Sequence, residues 1–304
     1  MKNFLRKNKL ALWLCAIFIS VFFGLTFLGL NAQEQLAISS HKESLQLLAN
    51  EKAMLVNSVL EAQEDKLFII ASMNVFKEAV LFPDDTAKME IAKDRINELG
   101  DIIPDISLLT NEGVVLAGDI DLSEIVIGGQ SYFALKEKRV LIEHYYCEHK
   151  KNHFYAVFGP IYDKIEQDKV IGVIAFDVEL DKIGALMKET IESETNEVYL
   201  TDRKGLLLSD SEYIGQGNKK GVLIQEVKSE GVEECQEDLK KYHKDGAVEE
   251  HEEEIPKYFN YMGDEVFGAH AYVPTTMGCV IAEEAADEVV RFSLIDYIVN
   301  MLKY

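Results

Sequence analysis

The sequence predicts an α+β protein in which one transmembrane helix leads into a long helix carrying two similar antiparallel-sheet modules. Three observations predict it. Residues 10–30 form an apolar run without a charge. Residues 33–82 contain neither Pro nor Gly and keep apolar side chains at helical spacing. Beyond them come two sets of short β-rich runs whose openings and closings match.

The run LALWLCAIFISVFFGLTFLGL would extend about 31 Å as a helix, one hydrocarbon thickness. A cleaved signal peptide has a shorter apolar core and ends in small residues, whereas Leu30 precedes Asn31-Ala32 here. An uncleaved anchor fits better. Lys2, Arg6, Lys7 and Lys9 precede the run with no acid among them, which holds the N-terminus in the cytoplasm and puts the remainder outside. The chain of 304 residues has a formal net charge of −22, so its exterior part repels phosphate backbones and nucleic acid is excluded as a partner. An apolar content of 48% excludes wholesale disorder. Of the four cysteines, Cys15 falls in the membrane run. Cys147, Cys235 and Cys279 then allow at most one internal disulfide.

The stretch 33–82 predicts a helix of roughly 75 Å, too long for a single globular unit. Leu45, Leu48, Leu55 and Val59 form an apolar stripe that predicts a homodimer seam, and Leu67, Ile70 and Met73 continue the spacing. Pro83-Asp84-Asp85 stops this helix and starts another, which Gly100 ends.

DISLLT, GVVLAG, RVLIEHYY, HFYAVFGPIY and KVIGVIAFDV then read as strands, followed by helical DKIGALMKETIES. NEVYLT, GLLLSD, KYFNYMG, EVFGAHAYV and GCVIAEEA form the second set. LLTNEGVVLAGD and YLTDRKGLLLSDS share a strand, a Thr with Asn or Asp, a Gly turn and a second strand, the later copy with one extra turn residue. The offset is about 91 residues.

Asp177 interrupts the apolar strand IGVIAFDVEL, on one face with Ile171, Val173 and Ala175. Two readings stand side by side. Asp177 caps the helix over 180–188 or pairs with a lysine such as Lys182, or it projects into a cleft and accepts charge-assisted bonds from a ligand. HYYCEHKKNH offers His144, Cys147, His149 and His153 within ten residues, but the KKN turn places two positive charges against a cation, so no metal site is expected. His251 within EEHEEE reads as part of a solvated loop. HExxH, GxSxG, phosphate-loop and GxGxxG patterns do not occur, so neither an enzyme nor a cofactor is expected.

The long helix, LLTNEGVVLAGD, GGQSYFALKEK, FGPIYD…KVIGVIAFDVELDKI, EVYLTDRKGLLL and YFNYMGDEVFGAHAYVP…MGCVIAEEAADEV together resemble the double Cache sensor domains of bacterial and archaeal receptors, over about residues 33–290. The resemblance implies two tandem PAS-like modules. The segments are then 1–9 in the cytoplasm, 10–30 across the membrane, 31–189 with the membrane-distal module, 190–284 as the membrane-proximal module, and 285–304 as a helix leading towards the membrane. It implies a small ligand in the distal module and an output domain such as a kinase, cyclase or methyl-accepting domain beyond a second span. RFSLIDYIVNMLKY is too short to be that span, so the chain reads as the input part of a longer receptor or as a single-span accessory protein.

Amino-acid-sensing members of the family carry an arginine and two aromatics before a strand tyrosine, an acid and a later aspartate. On this chain those positions are Gln130, Tyr132, Phe133, Tyr145, Cys147 and Asp177, with Tyr155 on the adjoining hairpin. Gln130 and Cys147 depart from the pattern, because Gln offers no cationic fork. The implied ligand is therefore an amine or another small polar molecule. The reading from a different class is a membrane-anchored scaffold or adhesion module whose pocket is filled by its own side chains.

Overall fold

The computed structural model describes residues 9–120, 140–166, 169–188, 196–210, 221–245, 257–276 and 278–289. Helix α1 runs unbroken over Lys9–Ala71, 63 residues or roughly 95 Å. Its N-terminal part is the one helical stretch, among the described residues, long and apolar enough to cross a membrane. The helix predicted to reach Phe82 instead breaks at Ser72-Met73. Helix α2 (Asn74–Leu81) follows, and α3 (Thr86–Gly100) starts on Asp85, whose carboxylate accepts from Ala87 N and Lys88 N.

The apolar stripe of α1 is not a seam between copies. Leu45 is buried, and Leu48 and Val59 pack on the same core, which continues through Ala49, Ala53, Val56, Leu60 and Leu67. Those positions recur every three or four residues, so α1 turns one face to both sheets along its length. Leu55 alone of the four remains exposed, on the outer side with Leu47, Met54, Phe68 and Ile69.

Five antiparallel strands form the first sheet: β1 (Ser107–Thr110), β2 (Val115–Ala117), β3 (Leu141–Cys147), β4 (Asn152–Tyr162) and β5 (Val170–Glu179), in the order β2-β1-β5-β4-β3. Leu67 packs directly on Gly159 of β4, where any Cβ would collide with it. Helix α4 (Leu180–Lys188) leads to the second sheet, built of β6 (Asn196–Thr201), β7 (Lys257–Phe259), β8 (Glu265–Val273) and β9 (Gly278–Ala285) in the order β6-β9-β8-β7. Leu207 bridges Thr201 on the outer side of β6, where β2 lies beside β1 in the first sheet.

The extra turn residue predicted for the second copy is absent. Thr110 Oγ1 accepts from Glu112 N and Val114 N, and Asp202 Oδ1 accepts from Lys204 N and Leu206 N. Gly113 and Gly205 take φ of 83° and 86° at the same place in each turn. Thr110 therefore matches Asp202 rather than Thr201. Asn260 Oδ1 repeats the arrangement in the β7–β8 turn by accepting from Met262 N and Asp264 N.

Helix α5 (Glu230–Asp245) was not expected from the sequence. Ser229 caps it, and Val232, Cys235 and Leu239 form a short buried stripe against Tyr199, Cys279 and Ile281. A Cys235–Cys279 disulfide ties the helix to β9, and Cys147 is a free, buried thiol. Residues 41–57 of α1 contact the second sheet. His41 Nδ1 lies 3.1 Å from Glu284 Oε2, Gln46 Nε2 donates to His270 O at 2.8 Å, and Asn57 meets Thr275. The buried Lys52 donates to Leu186 O at 2.6 Å, in the last turn of α4, where a cation is favourably placed.

Candidate functional site

Strand alternation divides the first sheet into two faces. One packs on α1 through Tyr155, Val157, Ile174 and Phe176. The other gathers Leu109, Tyr145, Cys147, Phe154, Ala156, Val173 and Ala175, and Asp177 lies on this side, two residues beyond Ala175. Tyr145 and Cys147 therefore share this face with Asp177. Tyr155 does not, because its position on β4 turns it to the helix side, where it is buried. Gln130, Tyr132 and Phe133 lie outside the described residues.

Asp177 does not cap α4, and Lys182 lies 3.7 Å from Glu179 instead; Asp177 does pair with a lysine, but it is Lys150. Its Oδ2 accepts from Tyr145 Oη at 2.8 Å and from Lys150 Nζ at 3.2 Å. Lys150 also reaches Asp105 Oδ2 at 2.6 Å and lies 4.9 Å from the centre of the Phe154 ring. Asp177 is 6% exposed, and its Oδ1 is buried with no hydrogen-bond partner among the described residues. Burial raises the pKa of Asp177, a shift that the Tyr145 hydroxyl and Lys150 oppose without cancelling. Burial works against the Lys150 ammonium, yet Asp105 and Asp177 outweigh it and raise its pKa. Tyr145 is held neutral by burial and by Asp177. Among the described residues the group is thus a cation bridging two acids, with one carboxylate oxygen left over.

Sequence reasoning missed Lys150, Asp105 and Phe154. The two lysines of the KKN turn oppose a metal, and only the fold shows that the hairpin joining β3 to β4 returns its tip beside β5. The histidines of that segment do not gather: His144 faces the second sheet, with Nε2 3.7 Å from Asp202 Oδ2, and burial lowers its pKa. Among the described residues no set of three metal-ligating side chains converges.

Comparison with known proteins agrees with this architecture. The fold is shared with the sensor domain of the histidine kinase DctB of V. cholerae, with a TM-score of 0.57 at 10% identity, covering 83% of this chain and 98% of that one. The ligand-binding domain of the Pseudomonas aeruginosa chemoreceptor PctC, in complex with GABA, gives 0.53 at 13% identity, covering 80% and 99%. That of the Campylobacter jejuni chemoreceptor Tlp3, in complex with 4-methylisoleucine, gives 0.52 at 17% identity, covering 83% and 94%. Among curated protein sequences none matches. A sequence profile of the Cache domain matches residues 31–290, nearly everything that follows the apolar run. The chain belongs to the Cache domain family.

Proposed function

We propose that the chain is the extracytoplasmic input region of a membrane receptor and that it senses a small amine-bearing molecule at Asp177. The observation that carries this reading is the orphaned Asp177 Oδ1, a buried acceptor beside a tyrosine, a lysine and a phenylalanine. An ammonium supplies the missing donor in a partly dry site, where a charge-assisted bond is strong. Lys150 restores the cation that Gln130 lacks and offers a partner for a ligand carboxylate, so an amino acid fits best. The PctC and Tlp3 domains were each solved with such a molecule.

The apolar part of α1 supports membrane anchoring, with the second sheet proximal because it contacts the earlier part of that helix. Leu47, Met54 and Phe68 supply an exposed apolar line for a homodimer in place of the inward-facing stripe. A packed scaffold has no use for a buried acceptor without a donor, which favours sensing over the alternative.

Calorimetric titration of the full chain in detergent tests the site, with amino acids and their decarboxylated amines as ligands. Asp177→Asn should weaken every binder by at least about tenfold. Lys150→Ala should weaken only those bearing a carboxylate. Unchanged affinity in Asp177→Asn, with a lowered melting temperature, would make the aspartate a structural residue.

A further inference from the structure

The ladders of the two sheets match residue by residue from the turns opened by Thr110 and Asp202. Ser107 of β1 matches Tyr199 of β6, and their partners Ala175 on β5 and Ile281 on β9 match as well. Two residues further along, Asp177 matches Glu283, and on the next strand Ala156 matches Gly268. Tyr145 matches Tyr258, because each pairs with the residue two before that Ala or Gly. The two carboxylates are nevertheless held differently. Glu283 Oε1 accepts from Tyr258 Oη at 2.9 Å and from Tyr199 Oη at 3.0 Å. Asp177 Oδ2 accepts from the matching Tyr145, but its second donor is Lys150 from the hairpin tip. Where the second sheet has Tyr199 the first has Ser107, whose Oγ accepts from Ile120 N at 3.0 Å. A cation from outside the ladder thus stands in for a neutral hydroxyl.

The groups around the Lys150 ammonium are those that recognise any primary ammonium: the carboxylates of Asp105 and Asp177 and the ring face of Phe154. The chain fills that place with a cation of its own. The hold is uneven. Asp105 Oδ2 lies 2.6 Å from Lys150 Nζ, whereas Asp177 Oδ2 lies 3.2 Å away and also accepts from Tyr145. Asp177 is therefore the weaker of the two contacts. Asp105 stands two residues ahead of Ser107 with φ of 59°, and Lys150 comes from the turn joining β3 to β4, beside Lys151 with φ of 50°. The Lys150 side chain is partly exposed, so its ammonium has room to swing outward while it keeps Asp105.

We propose that Lys150 is a specificity-determining residue of this site, one that excludes amines without a carboxylate and selects ligands that carry both an ammonium and a carboxylate. The inference rests on the reading of Asp177 as the seat of the ligand's ammonium. A ligand ammonium at Asp177 Oδ1 shares one carboxylate with the Lys150 ammonium on Oδ2, and like charges at that range disfavour each other. An amine without a carboxylate brings nothing to offset the repulsion. An amino acid brings an anion that takes the Lys150 ammonium, while Asp105 keeps its other side. The four charges then alternate in sign. Lys150 acts on both classes of ligand, attracting one and repelling the other, and a difference of affinities made that way is larger than either effect alone.

The test is calorimetric titration of the full chain in detergent with propylamine, the fragment that Lys150→Ala removes beyond Cβ. Lys150→Ala should bind it at least about tenfold more tightly than the unaltered chain does, and adding Asp177→Asn should remove that gain. Lys151→Ala, which takes away the neighbouring charge of the same turn, should leave the affinity within about twofold of the unaltered chain. If Lys150→Ala does not fold, Lys150→Met keeps the apolar stem, and methylammonium replaces propylamine as the probe. Equal amine affinity with and without Lys150 overturns the proposal. So does a gain that survives Asp177→Asn or that Lys151→Ala reproduces. Amino acids titrated into the unaltered chain check the underlying reading separately. Amino-acid binding without an amine gain in Lys150→Ala overturns the role of Lys150 and leaves the seat at Asp177 standing. An amine gain with no amino-acid binding upholds the exclusion by Lys150 and counts against the sensor reading instead.

Discussion

Asp177 and Glu283 occupy matching positions in two sheets of the same strand order, yet they meet opposite surroundings. Asp177 has a lysine from the adjoining hairpin tip against it, whereas Glu283 has a second glutamate across the ladder. The scaffold fixes where the carboxylate stands; the charge of the site is set by a hairpin tip that the scaffold leaves free to vary. That division explains how one sheet plan gives a carboxylate paired with a lysine in one half and a carboxylate held by two tyrosines in the other.

The largest expected difference between the halves is covalent. Cys235–Cys279 closes a 44-residue separation in the second sheet, so Cys235→Ser should destabilise that part by about 4 kcal/mol. Scanning calorimetry should show it as a lower transition that leaves ligand binding at Asp177 intact. One cooperative shift that also removes binding at Asp177 would mean that the two sheets unfold as a unit.

Substituting the matched carboxylates should move stability in the same direction by different amounts. The folded pKa of Glu283, about 7, lies above its unfolded value, so the folded state binds more protons and loses stability as pH rises from about 4.5 to 7. Glu283→Gln removes that loss and should stabilise the protein by up to about 3 kcal/mol at pH 8, fading towards pH 5. Burial also raises the pKa of Asp177, but Tyr145 and Lys150 offset part of the cost, so Asp177→Asn should stabilise less than Glu283→Gln at pH 8. Urea titrations at the two pH values measure both, and a destabilised Asp177→Asn would show that the bond to Lys150 outweighs the cost of burial.

A smaller effect follows at Gly268, where the first sheet carries Ala156. The Tyr258 hydroxyl lies over Gly268, so Gly268→Ala forces the ring aside at about 1–2 kcal/mol and should lower the apparent pKa of nothing in the first sheet. Its signature is a loss of stability with ligand binding at Asp177 unchanged. The smallest effect belongs to Lys182→Ala, which removes an exposed pair with Glu179 and should stay below about 0.5 kcal/mol with ligand binding unchanged. A marked fall in binding would return Lys182 to the site.

Much of the fold was legible because its signals are local. The apolar spacing of α1, the stop at Pro83 and the alternation along β5 each depend on a few neighbouring residues. Which face of α1 turns inward was not, since the Leu45 stripe is equally suited to a sheet and to a second helix. The break at Ser72-Met73 has no Pro or Gly to announce it. At the site, Tyr145 and Asp177 could be read from strand parity and resemblance, whereas Lys150 depends on how a hairpin tip folds back. Tyr155 was misplaced for want of parity: it stands one residue from Phe154 and Ala156, on the other face. Glu283 was within reach, because aligning GVIAFD with GCVIAE at Gly172 and Gly278 sets Asp177 against Glu283.

Helix α1 has no joint from Lys9 to Ala71, and its first break lies past the contact between Leu67 and Gly159. Mechanically it is a rod gripped at two points along its length, near Lys52 and near Leu67. A rod of that kind cannot absorb a displacement by bending at a hinge; it slides, turns or tilts as one body. Any shift of β4 against Leu67 is therefore carried along the axis to the second sheet, which holds the rod at His41, and beyond it an arm of roughly 42 Å to Trp13 is free to follow.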